Sequence, residues 1–214
     1  MKHYWWKILG IILVCYSIVA GFYINVPDLP LIEQTIRNMF FHVPMWFTMM
    51  LIFMISFNFS ILNLFSRKEK NEIIANEAVN VGLLFGVLGI ITGTIWAKFT
   101  WGSWWLKDPK LNGALVSVMI YLIYPVLGTS FEGRQRMIIL SAYNIMAFVM
   151  MFFLVMIYPR IGGSSIHPGQ GSNPALVMGD IDSAMRMIFF SAVAGWFLIG
   201  AWILSLRVRM KRLE

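Results

Sequence analysis

Apolar residues along this chain run together in blocks rather than alternating with polar ones. Six stretches, 8–24, 43–65, 79–97, 111–130, 137–158 and 187–206, contain no Asp, Glu, Lys or Arg. Each is close to the roughly 20 residues that a helix needs to cross the hydrocarbon core of a bilayer. A membrane-spanning strand would read apolar and polar by turns, whereas these blocks are apolar all round, so the pattern predicts helices. The expected architecture is all-α: one integral-membrane domain, residues 1–214, built as a bundle of six transmembrane helices. No repeat, low-complexity tract or soluble domain interrupts it, and the longest connections are 25–42 and 160–183.

Composition agrees, with 59% hydrophobic and 13% charged residues and a mean hydropathy of +0.73, outside the range of soluble domains. A net charge of +7 raises nucleic acid as a partner, but the placement of the charges excludes it. Lys and Arg gather in alternate loops: Lys2, Lys7, Arg67, Lys68, Lys70, Arg134, Arg136, Arg207, Arg209, Lys211 and Arg212 on one side, against Arg37, Lys98, Lys107, Lys110, Arg160 and Arg186 on the other. Eleven against six is a positive-inside pattern. It puts both termini in the cytoplasm of a multi-pass protein whose partner is the lipid bilayer. Residues 1–21 also read as a signal peptide, but the apolar run is longer than a usual h-region. A retained first helix is expected, and its removal would leave the later loops on the same sides. Cys15 is the only cysteine; it permits no internal disulfide and is expected to be a small packing residue. No Cys-x-x-Cys-His motif for covalent haem attachment occurs.

The candidate chemistry lies on the less basic side. Trp96, Trp101, Trp104 and Trp105 put four of nine tryptophans within ten residues. Such a cluster is either an aromatic belt at the headgroups or a ligand platform, with each ring contact worth roughly 0.5–1.5 kcal/mol beyond area burial. Were 101–108 helical, Trp101, Trp104, Trp105 and Asp108 would share one face. Pro109 opposes helical geometry at Asp108, and Asp108-Pro109 reads as the N-cap and first residue of the fourth helix. His42, ahead of a proline-started second helix, and His167, before Pro168-Gly169, fall on the same side. Each alone reads as an interfacial or turn residue; together they suit two axial ligands approaching one haem iron. Arg37 and Lys110 are the basic residues best placed for propionates.

The segment Trp101-Gly-Ser-Trp104-Trp105-Leu-Lys-Asp108 resembles the tryptophan-rich WWD signature of the haem-handling proteins of cytochrome c maturation, the CcmC family, with the CcsA group close behind. Arg37 five residues before His42-Val-Pro44, Trp96 five before Trp101, and His167-Pro-Gly169 in the last outer loop support the resemblance, which covers nearly the whole chain. It implies a non-enzymatic protein of the bacterial inner membrane that binds haem b at its periplasmic face. It further implies delivery to the haem chaperone CcmE, with the ABC transporter subunits CcmA and CcmB and the small membrane protein CcmD as partners. His42 and His167 would be the axial ligands. Trp96, Trp101, Trp104, Trp105 and Asp108 would form the platform, with Arg37 in support. Lys110 stands where the family pattern has arginine, which keeps the charge and loses the bidentate fork. Lys107 replaces a further tryptophan, and Gly162-Gly163 and two serines stand where many members carry an aromatic pair.

Two other functions fit less well. A b-type redox cytochrome holds haem between histidines well within helices, whereas both histidines here sit at helix ends. An ion-coupled transporter needs intramembrane charge, which the six stretches lack. Asn58, Asn63 and Asn144 are expected to make interhelical hydrogen bonds.

Overall fold

Every apolar stretch is a helix, and most extend past the uncharged block into polar sequence. The computed structural model describes residues 4–26, 33–161, 165 and 182–213. Its helices are α1 (Trp5–Tyr23), α2 (Met39–Ser66), α3 (Glu69–Trp101), α4 (Pro109–Ser130), α5 (Gly133–Phe152), α6 (Tyr158–Ile161) and α7 (Ser183–Lys211). A 3-10 turn, Glu33–Asn38, leads into α2, and a π-helical stretch, Phe153–Ile157, joins α5 to α6 in one span. Six spans in these residues are long and apolar enough to cross a membrane, as the hydropathy blocks require. The α2 boundary differs from expectation: the helix starts at Met39, and Pro44 lies inside it. As the sixth residue of the helix, Pro44 leaves the carbonyl of Phe40 without its i+4 donor.

Helix ends follow local chemistry. Asp108 and Asp182 cap α4 and α7, accepting from Lys110 N and Leu111 N, and from Met185 N. Gly102, at φ +77°, closes α3, because a residue without Cβ enters the left-handed region at little cost. The early start of α3, ten residues ahead of its apolar block, is held by ion pairs. Glu72 pairs with Arg136 at the start of α5, and Glu77 with Arg207 of α7 at 2.6 Å.

The most extensive helix contact is α2 against antiparallel α3, and its register is visible atom by atom. A Cβ built on Gly82 would lie 2.3 Å from Phe53, on Gly86 3.0 Å from Met49, on Gly89 2.8 Å from Trp46, and on Gly93 2.6 Å from His42. Glycines at i, i+4, i+7 and i+11 on α3 thus receive side chains at the same spacing on α2. Without a hydrophobic driving force between helices in lipid, such small-residue stripes let backbones approach and dispersion contacts accumulate. The Phe53 ring, seated on Gly82, stacks on Tyr121 of α4 at 3.5 Å between centroids and 4° between planes. On the far side α1 packs along α7, with Gly10 against Leu198 and Gly195 against Leu13 and Val14.

Between α2 and α5 the polar residues pair. Asn144 Nδ2 donates to Ser56 Oγ at 2.6 Å and Ser60 Oγ at 2.7 Å, and Asn63 Nδ2 to Ser141 Oγ at 3.3 Å. Asn58 departs from expectation: its amide donates to Met54 O one turn earlier in its own helix, because position 58 points away from the α5 contact. Cys15 is exposed on the outer side of α1 rather than packed, since α1 turns only its Gly10 face toward α7.

Gly82→Ala is expected to cost about 1–3 kcal/mol, the usual range for overpacking a filled core. The loss should show as a lower melting temperature of the detergent-solubilised protein, partly restored by the second substitution Phe53→Leu. Equal melting temperatures for Gly82→Ala and wild type would show that the stripe is slack.

Candidate functional site

His42 is the centre of the less basic end of the bundle. It belongs to the first turns of α2, is 6% exposed, and its ring is walled on one side by the bare backbone of Gly93. Trp46 and Trp96 stand edge-on to it, with centroids at 6.2 and 5.7 Å and interplanar angles of 80° and 71°. Nδ1 lies 3.0 Å from Thr92 Oγ1. The Thr92 hydroxyl hydrogen is directed along its own helix, to Leu88 O at 2.8 Å with Gly89 O at 3.2 Å. A hydroxyl so engaged can accept from His42 Nδ1–H, the tautomer that carries the lone pair on Nε2. That is the arrangement of a metal-binding imidazole, whose second nitrogen is normally engaged so that ring and tautomer are set.

Other contacts brace the same corner. Asn38 Nδ2 donates to Thr92 O at 3.3 Å, and Thr100 Oγ1 to Thr35 Oγ1 at 2.9 Å, so the 3-10 turn is tied to the end of α3. Arg37 donates from Nη1 to Gly21 O at 2.9 Å and Ile24 O at 2.7 Å, and from Nε to Gln34 Oε1 at 2.9 Å. A cation on the last carbonyls of α1 is favoured by the helix dipole, so Arg37 locks α1 to the turn before α2.

The tryptophan segment does not form one helical face. Gly102 ends α3, residues 102–108 are non-helical, and the rings diverge. Trp96 is buried at 4% exposure and tilts against Trp101, with centroids 6.2 Å apart and 34° between planes. Trp104 is 59% exposed, with the Lys98 ammonium 6.0 Å from its ring. Trp105 donates from Nε1 to Asn112 Oδ1 at 3.2 Å, which turns it back toward α4. Asp108, 3% exposed, is the N-cap of α4, with Oδ1 2.8 Å from Lys110 N. A cavity of about 140 Å³ then brings together His42, Trp46, Gly93, Trp105 and Lys110. His167 lies outside the described residues.

A family model described as Heme exporter protein C matches residues 2–214. The chain belongs to the Heme exporter protein C family. It is 26% identical over 176 residues to the Heme exporter protein C of Paracoccus denitrificans (strain Pd 1222), covering 82% of this chain and 72% of that protein. The protein of the same name from Rhodobacter capsulatus is 27% identical over 117 residues, 55% of this chain and 48% of the relative. A shorter match joins it to the Cytochrome c biogenesis protein CcsA of Synechococcus sp. (strain WH7803), 37% identical over 79 residues, 36% of this chain and 25% of that one.

Thr92, Gly93, Trp46 and Asn112 had no place in the sequence reading. The Gly82, Gly86, Gly89, Gly93 spacing was a usable signal for a close α3 contact; nothing local marks Thr92 or Asn112.

Since Asp108 caps α4 through its side-chain oxygen, Asp108→Asn should preserve thermal stability while Asp108→Ala loses about 0.5–2 kcal/mol. Thermal unfolding of the two variants in detergent checks this, and equal losses would remove the cap from the description.

Proposed function

We propose that this protein handles haem for cytochrome c maturation, taking haem b as cargo at the His42 end of the bundle and presenting it there for transfer. The carrying observation is His42: an imidazole with its Nδ1 engaged by Thr92 and its ring lining a cavity shared with two tryptophans and Lys110. Family membership and the names of the relatives support the reading. The role is binding and transfer rather than catalysis.

The cavity of about 140 Å³ is below the roughly 300–1,000 Å³ of small-molecule pockets, so the porphyrin is not taken wholly inside the bundle. We place it over the cavity mouth, against the rings of Trp101, Trp104 and Trp105. His42 supplies one axial ligand and His167 the second. Lys110, which lines the cavity, is the cation for a propionate. Arg37 acts at one remove, by holding α1 to the turn that carries α2. The recipient in this reading is the periplasmic chaperone CcmE, with CcmA, CcmB and CcmD as partners in the bacterial inner membrane, both termini being cytoplasmic.

His42→Ala should lose or shift the haem absorption of protein purified from haem-replete cells, while the apoprotein still inserts and folds. Thr92→Val keeps the shape and removes the acceptor for Nδ1–H; haem affinity is expected to fall about 10-fold or more, with Thr92→Ser restoring it. A wild-type haem spectrum and affinity in both His42→Ala and Thr92→Val would exclude His42 as the ligand.

A further inference from the structure

The opposite end of the bundle holds a larger cavity, about 780 Å³, between the α2–α3 turn, α3, α4, the start of α5 and the end of α7. Its size falls within the range of small-molecule sites. Two of its carboxylates are already matched, Glu72 by Arg136 and Glu77 by Arg207. Arg136 is further fixed by donating from Nε to Gly128 O at 2.9 Å, and Tyr124 donates to Asn76 Oδ1 at 2.5 Å beneath it. With those pairs made, the remaining charged lining is Arg67 of the α2–α3 turn, Arg134 of the first turn of α5 and Lys211 at the end of α7, against Glu69. Arg67 is the one non-glycine residue with positive φ among the described residues, at φ 50° and ψ 37°. Glycine would relieve that backbone, yet the position carries an arginine that lines the cavity.

Two arginines lining one cavity suit a phosphate, whose oxygens match the planar donor fork of a guanidinium. The cavity opens at the end of the helices where ten of the sixteen Lys and Arg among the described residues lie, the level of a bilayer's headgroups. Basic pockets between transmembrane helices at that level are suited to anionic headgroups. We propose that this cavity binds a phosphate-bearing group, and that its occupant in the membrane is the headgroup of an anionic phospholipid. The site is separate from the His42 end and does not depend on the haem reading.

Native mass spectrometry of the full chain in neutral detergent, titrated with phosphatidylglycerol or phosphatidylcholine, tests the site, with inorganic phosphate in a parallel thermal-shift arm. Phosphatidylglycerol should be retained at least about 10-fold better than phosphatidylcholine. Arg134→Gln and Arg67→Gly should each reduce retention about 5-fold or more, whereas Arg209→Gln, an exposed cation at the same end but outside the cavity, should not. Arg67→Gly should do so without lowering the melting temperature, because the turn loses strain as the site loses a ligand. Saturable stabilisation by inorganic phosphate with no lipid preference would overturn the lipid source and assign the site to a soluble phosphate. Equal losses in Arg209→Gln and Arg134→Gln would reduce the effect to general surface charge and overturn the site.

Discussion

The α2–α3 contact is the constraint on which the rest of the bundle depends. Four glycines on α3 remove the Cβ atoms that would otherwise strike Phe53, Met49, Trp46 and His42. In lipid this close approach replaces the hydrophobic drive available to soluble helices. It also fixes register: a slide of one residue would set a Cβ where each ring now sits. The first three pairs hold the helices together, and the fourth continues the same ridge to the functional candidate. Helix packing and the candidate site are therefore parts of one interface.

That continuity explains why His42 is so well defined. Gly93 gives its ring room, and Thr92, the preceding residue, sets its hydroxyl 3.0 Å from Nδ1. A threonine whose hydroxyl hydrogen is committed to its own helix is an acceptor toward its neighbour, which is what a ligand imidazole needs from its supporting group. By contrast, the tryptophan segment is shaped by Gly102 at one end and the Asp108 cap at the other. Its rings occupy three environments: Trp96 buried, Trp105 bonded to α4, and Trp104 facing out. The two ends of the bundle thus differ in kind, one built from aromatic rings around an imidazole and the other from arginine–carboxylate pairs around a larger cavity.

Much was legible in sequence because the bilayer enforces a simple rule: backbone polar groups must be satisfied internally, and long apolar runs can do this only as helices. All six spans and the Asp108-Pro109 helix start followed from that rule and from capping chemistry, as did the interhelical roles of Asn63 and Asn144. Predictions failed where direction around a helix mattered. Asn58 and Cys15 lie in spans as predicted, but the faces they occupy are set by which neighbour α2 and α1 meet. The condition for Trp101, Trp104, Trp105 and Asp108 to share one helical face is not met, because Gly102 ends α3.

By itself, then, the sequence determined the number and order of the spans and the all-α class, because each depends on hydrophobicity, caps and composition read along the chain. Only the tertiary structure decided that His42 faces Thr92 and Gly93, that Arg37 is engaged by the carbonyls at the end of α1, and that Trp105 meets Asn112. The His42–Thr92 pair joins residues 50 positions apart. Such pairings rest on helix rotation and register, set by the fit of α2 side chains over the α3 glycines rather than by any local preference of the residues that meet there.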